Sequence, residues 1–350
     1  ELLRELVSRY SPSGNERPAT EFLLGVFRGW GWNARIDEVG NVIGEIGSGP
    51  PTICFLGHID TVTGEIPVRV EDGRLYGRGA VDAKGPLAAA ACAAARLPRD
   101  LDKKIIIVGA VEEESPTSRG TRHIVGRIRP DFAIVGEPSR WDRITIGYKG
   151  VFHFRYTLAA PRAHRAAETP SPATTAVNFL ADILKMASRR GDTETPAFDS
   201  LTANVSTIKT RIKCLGEEVT ATVDMRLPLE IEPDTVEQKV RKMAGKAFVD
   251  VIEKIPAALS DKNTSLVRAL LRSIRRQGGQ PRFAIKTGTS DMNIVAPIWK
   301  CPIVAYGPGD SRLDHTPNEH ICLDEYQRAI AVLEATFLEL RKAGKQEEKH

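Results

Sequence analysis

Thr52-Ile53-Cys54-Phe55-Leu56-Gly57-His58-Ile59-Asp60-Thr61-Val62 joins an apolar run to two polar side chains spaced one residue apart. Thr52–Leu56 is uncharged and rich in β-branched and aromatic residues, so it reads as a buried strand. His58 and Asp60 then stand just past its carboxyl end, where functional sites form in open α/β sheets. Three further clusters share this form. Gly77-Arg78-Gly79-Ala80-Val81-Asp82-Ala83-Lys84-Gly85 leads into an alanine-rich helix read over 86–97. Val111-Glu112-Glu113-Glu114 ends a buried strand read over 104–111, and Gly136-Glu137-Pro138-Ser139 ends another over 132–135. Three adjacent glutamates repel one another unless cations compensate them. Imidazole mixed with carboxylate suits zinc and similar divalent ions. A lone histidine after a strand is usually structural. Four such clusters at strand ends, with His315 late in the chain, point to a metal site.

Working outward, strands and helices alternate. Residues 1–32 read as two helices broken at Ser11-Pro12-Ser13-Gly14, and 41–46 as a strand; 118–127 reads as a helix. This alternation predicts an α/β sheet covered by helices. The pattern changes after Gly150. Residues 151–158 alternate with period 2, 174–186 are helical, 203–209 and 218–226 are strands, and 234–248 is a helix. Helix and strand then resume at 266–276, 283–286 and 303–306, with a long terminal helix over 323–341. The expectation is a discontinuous main domain, 1–149 and 258–350, with an α+β domain inserted at 150–257.

The 350 residues include 94 charged ones and are 41% hydrophobic, which excludes a disordered or fibrous chain and predicts two domains. The longest apolar run, Leu87 to Ala95, is far short of the ~20 residues that cross a bilayer. No basic segment followed by an apolar one opens the sequence, so no secretory signal is expected. Cys54, Cys92, Cys214, Cys301 and Cys322 are odd in number, far apart and without a CxxC pair. Reduced thiols and a cytoplasmic location follow as expectations. A net charge of +4 does not by itself argue for nucleic acid. The stretch from Lys262 to Ser290 holds seven basic residues and no acidic one. It is either a solvated helix face or a docking surface for an acidic partner.

GHIDTV, GRGAVDAKG, the EEE triplet followed by SPTSRGT, GEPS and DHTPNE resemble, in order and spacing, the di-zinc deacylases and carboxypeptidases. That family includes acetylornithine deacetylase and succinyl-diaminopimelate desuccinylase. The resemblance covers essentially the whole chain. It implies an α/β, mixed-sheet hydrolase domain with an inserted α+β lid that also dimerises, and two Zn²⁺ (or Co²⁺) ions per subunit. Carried over residue by residue, it implies that His58 and Glu137 bind one ion, Glu114 and His315 the other, and that Asp82 bridges both. Asp60 would orient His58, and Glu113 would be the general base. Counting back from Gly120-Thr121 sets Glu113 and Glu114 in these roles and leaves Glu112 outside them. His164 would stabilise the oxyanion from the partner subunit, and Arg226 and Asn204 would grip a substrate carboxylate. Lys286–Asp291 resembles a glycine-containing loop near the metals, without an assigned role. His123, His153 and His320 match no family position; His320 reads as structural or exposed.

Within the family, the stretches around Pro50-Pro51, Ile66–Val70, Leu75–Leu87 and Gly147–Gly150 look most like the branch that releases lysine or ornithine from the amino-group carrier protein LysW. The resemblance implies that this acidic carrier is the substrate, with the Lys262–Ser290 stretch as the candidate docking rim. Two other readings stand beside it: a small-molecule deacylase or dipeptidase, and a catalytically dead scaffold. All five ligand positions and Glu113 are present, which disfavours the scaffold.

Overall fold

Short apolar runs rich in isoleucine and valine become the middle of a mixed sheet. The structure, a computed structural model, describes residues 1–161, 169–188, 198–213 and 215–341. The chain divides into two compact units. The first comprises Glu1–Gly147, Ser260–Ile285 and the chain from Ser290 onward; the second comprises Tyr148–Leu259 and Lys286–Thr289. The expected boundaries fell two residues inside these and omitted Lys286–Thr289. Four residues are too few to carry a periodic signal. They join the second unit through hydrogen bonds: the Lys149 amide donates to the Lys286 carbonyl, and the Thr289 hydroxyl donates to the Lys149 carbonyl.

In the first unit the sheet runs Asn33–Ile36, Val42–Ile46, Lys104–Ala110, Thr52–His58, Phe132–Gly136, Ile303–Ala305, Arg143–Tyr148. The strands Lys104–Ala110, Thr52–His58, Phe132–Gly136 and Ile303–Ala305 are mutually parallel, and the flanking pairs are antiparallel. Parallel strands are covered on both faces, which explains their unbroken apolar character. Gly57 lies opposite both Gly109 and Gly136, one residue before the strand ends. A Cβ on Gly109 would come within 2.9 Å of Val42, and one on Gly136 within 2.6 Å of Phe55. This glycine row lets side chains pack tightly just beneath the site.

Helix Lys84–Ala95 is buried on almost every face, and its alanines permit close approach to the central strands and to helix Leu323–Glu339. A helix apolar all round belongs in a core. At the end of Leu323–Glu339 the buried Lys103 ammonium donates to the carbonyls of Phe337, Leu338 and Leu340, a cation placed on the negative end of the helix.

The second unit has a four-stranded antiparallel sheet ordered Thr202–Lys213, Gly216–Leu227, Gly150–Pro161, Phe248–Ile255. Val219, Ala221, Val223, Met225 and Leu227 alternate inward, meeting Phe152, Phe154, Tyr156 and helices Pro172–Ser188 and Pro233–Ala244. The helix expected over 234–248 ends at Ala244, because Gly245 takes a positive φ (60°) that glycine adopts without strain and a helix cannot continue through. Strand Phe248–Ile255 was not expected. A bulge between Val251 and Glu253 breaks its alternation, and Phe248 is exposed.

Candidate active site

The parallel strands deliver the ligand candidates to one end of the first unit's sheet. His58 is the last residue of Thr52–His58, and Glu112–Glu114 follow Lys104–Ala110 after Val111. Glu137 follows Phe132–Gly136, and Asp82 precedes helix Lys84–Ala95. His315 comes from the loop before helix Leu323–Glu339, in a left-handed conformation (φ 61°).

Asp82 stands between two histidines. Its Oδ1 lies 3.2 Å from His58 Nε2, and its Oδ2 lies 3.1 Å from His315 Nε2. His315 Nε2 is also 2.9 Å from Glu114 Oε1. His58, Asp82 and Glu114 each offer a donor atom, all within 4.8 Å of one another. On its other side His58 Nδ1 lies 3.1 Å from the Asp60 carbonyl and 3.4 Å from Asp60 Oδ1, which fixes the ring and turns Nε2 toward Asp82.

Asp60 is buried and organises its surroundings. Its Oδ2 accepts from Ser13 Oγ (2.6 Å) and the Glu114 amide (3.0 Å), and Oδ1 accepts from the Glu113 amide (3.0 Å). One carboxylate therefore seats both His58 and the acidic triplet. Glu112 turns the other way. Its backbone is left-handed (φ 58°), its amide donates to Glu16 Oε1, and its carboxylate binds Thr117 Oγ1 and Arg119. The chain thus separates Glu112 from Glu113 and Glu114.

The electrostatics are those of a site short of positive charge. Burial raises the Glu113 carboxyl well above its ordinary range; the His58 charge opposes this, and the charges of Asp291, Glu137 and Glu114 add to it. Burial disfavours protonation of His58, yet the Glu113 charge and the hydrogen bonds to Asp60 and Asp82 outweigh it and raise its pKa. Hydrogen bonds to Asp82 and Glu114 push His315 up to about 10. Burial would raise Asp82, but the bonds to His315 and His58 hold it below the usual carboxylate range. Imidazole nitrogens and carboxylate oxygens converging in a buried, acid-rich site are a donor set suited to divalent cations.

Glu137 is also buried, and its charge acts on Glu113; it lies outside the tight His58–Asp82–Glu114 cluster. Asn204 and Arg226 belong to the second unit. Asn204 lies opposite Asp224, and Arg226 follows two residues later on the same face. The Arg226 fork closes on Asp224 at 2.9 and 3.2 Å, and its Nη1 donates to Thr289 Oγ1 at 3.0 Å. His164 lies outside the described residues. His123 pairs with Glu38 at 3.0 Å, and His320 Nδ1 lies 2.7 Å from the Asn318 carbonyl while its ring lies 4.8 Å from that of Tyr76, tilted by 37°.

Sequence reasoning assigned no role to Ser13, Asp291, Arg78 or Glu319. Asp291 is buried at the start of helix Asp291–Trp299; its Oδ2 accepts from Thr121 Oγ1 at 2.6 Å, and burial raises its pKa to about 6. Pro297 inside that helix hid it from a periodicity reading. In the basic stretch, Arg272 and Arg276 pair with Glu339, and helix Ser265–Arg276 buries Leu266, Val267, Leu270 and Ile274.

Residues 54–339 match the pattern of peptidase family M20/M25/M40, and the chain belongs to that family of hydrolases. Among its relatives, the LysW-lysine hydrolase of Deinococcus radiodurans is 39% identical, with 97% of this chain and 96% of that protein aligned. The LysW-lysine/LysW-ornithine hydrolase of Sulfurisphaera tokodaii is 33% identical over 93% of this chain and 90% of its own. The fold is similar to that of an M20 family metallo-carboxypeptidase from Sulfolobus solfataricus (TM-score 0.80, 19% identity, 96% and 98% of the two chains). It is also similar to that of a dinuclear metal binding peptidase from Bacillus subtilis (TM-score 0.71, 15% identity, 96% of each chain).

Proposed function

We propose that this chain is a dinuclear metal-dependent amide hydrolase that frees lysine, ornithine or both from the carrier protein LysW. The observation that carries the metal reading is Asp82, whose two oxygens each face a different histidine. The substrate reading is supported by the names of relatives 33–39% identical over nearly the whole chain.

His58 and Glu137 would complete one ion position, Glu114 and His315 the other, with Asp82 shared. The donor set accepts Zn²⁺ or Co²⁺. Two such ions would acidify the attacking water and draw charge from the scissile carbonyl. Asp60 holds the His58 ring and seats the main chain at Glu113 and Glu114. Glu113 takes the proton of the attacking water and returns it to the leaving amine. His164 is assigned the oxyanion, from the partner subunit. Arg226 and Asn204, sharing a sheet face, are assigned the substrate carboxylate, which would take the place of Asp224 on the Arg226 fork.

Dimerisation through the second unit is supported by its edge strand, Thr202–Lys213, which leaves Ile208 and Ile212 exposed beside exposed Leu215. The described cysteines, Cys54, Cys92, Cys301 and Cys322, are free thiols, which supports a cytoplasmic location. No helix among the described residues is long and apolar enough to cross a membrane. The test is competition at equal concentration between LysW-linked lysine and acetyl-lysine. Faster turnover of the carrier-linked substrate is expected; faster turnover of acetyl-lysine would favour a small-molecule deacylase.

A further inference from the structure

We propose that Glu319, held by Arg78, is a positioning residue that sets the Asp82 carboxylate between His58 and His315. The proposal rests on the metal-site reading above and adds to it a group that touches neither ligand side chain nor substrate.

Glu319 is fully buried and Arg78 is 6% exposed, and the two face each other as an ion pair at 2.8 Å. Glu319 Oε1 accepts from two consecutive amides, Val81 N at 2.9 Å and Asp82 N at 3.1 Å. Its Oε2 accepts from Arg78 Nη1 at 2.8 Å, and Arg78 Nε donates to the Gly64 carbonyl at 2.9 Å. A buried ion pair is weak evidence for stability, since well-packed apolar groups often do as well. This pair instead fixes a stretch of main chain. The Asp82 side chain has two rotatable bonds, so the place of its backbone decides where its carboxylate can stand. The segment 315–319 grips Asp82 at both ends, with His315 on the carboxylate and Glu319 on the amide. Sequence spacing does not reveal this, because Arg78 and Glu319 lie 241 residues apart.

Glu319→Gln keeps the volume but sets an amide N–H₂ against the Arg78 donor or the two backbone donors. The assay is calorimetric titration of metal-stripped protein with Zn²⁺ alone, with unfolding of the metal-free variants followed separately. Wild-type protein should take up two ions per chain. E319Q should bind at least one of them about 10–100-fold more weakly, the usual effect of losing an outer-shell partner. In an Asp82→Asn background the same change should add less than about 2-fold, because the group it positions is already altered. A purely structural role would lower the melting temperature of the metal-free protein and leave Zn²⁺ affinity unchanged, or would add in full to Asp82→Asn. Either result overturns the proposal. Should E319Q not fold, Arg78→Lys decides: it loosens the clamp without removing the carboxylate, and unchanged Zn²⁺ affinity overturns the proposal. Wild-type protein that takes up fewer than two ions would overturn the metal reading itself, and this proposal with it.

Discussion

Replacing Glu113 by glutamine separates the chemistry of the acidic triplet from its architecture. The side chain is crowded by the charges of Asp291, Glu137 and Glu114, whereas its amide is tied to Asp60 Oδ1 at 3.0 Å. An uncharged isostere relieves the crowding and leaves the main-chain bond intact, so the melting temperature should not fall. Without a carboxyl to carry the proton, kcat on LysW-linked lysine should drop about 10²–10⁴-fold, the typical worth of a positioned acid–base group. That corresponds to about 3–5 kcal/mol in the barrier. Glu114→Gln should behave differently: it replaces a charged ligand candidate of the His58–Asp82–Glu114 cluster by a neutral amide, so ion binding falls and turnover falls with it. Steady-state kinetics, ion content and thermal unfolding of both variants give the answer. An exchange of the two phenotypes would refute the assignment of Glu113 as base and Glu114 as ligand.

Asp60→Asn should cost about 1–3 kcal/mol, since one of the donors Ser13, Glu113 N and Glu114 N would lose its acceptor, and should weaken Zn²⁺ binding about 10–100-fold; unchanged ion affinity would argue against its role behind His58. In metal-free protein, His315 has a pKa raised to about 10 from 6.5, so its pairing stabilises fully below pH 6.5 and is lost as pH rises through about 10. Zn²⁺ needs the neutral ring, so loading at pH 8 should release a proton, seen as calorimetric heats that change with the buffer's ionisation enthalpy; buffer-independent heats would contradict this. Arg268 and Arg275 are exposed, with no ion pair given by their side chains among the described residues. Reversing both to Glu should raise KM for the carrier-linked substrate and leave acetyl-lysine kinetics unchanged if they dock an acidic carrier; equal losses on both substrates would return the patch to a solvated helix face.

The ligand-bearing part of the fold is legible because three of the five ligand candidates, His58, Glu114 and Glu137, end or follow β-branched runs. Thr52–His58, Lys104–Ala110 and Phe132–Gly136 are buried on both faces, and so are written without interruption. Arg69–Glu71 and Arg74–Tyr76 escape notice: they are three-residue strands of mostly exposed side chains, held by pairing rather than by an apolar face. Phe248–Ile255 is concealed by its bulge, and Asp291–Trp299 by its proline. At the site, histidines and glutamates are visible as residue types that carry chemistry. The supports are not. Ser13 reads as part of a helix-breaking turn, and Glu319 reads as the end of a motif until the fold sets it against the Asp82 amide.

Incubation of LysW-linked lysine with Zn²⁺-loaded protein and with chelator-stripped protein, following free lysine by mass spectrometry, tests the proposed reaction most directly. Free lysine and intact LysW should appear in equal amounts with the loaded protein, vanish on stripping and return when Zn²⁺ is restored. No lysine from the loaded protein, or equal release after verified stripping, would contradict a metal-dependent hydrolase acting on this carrier.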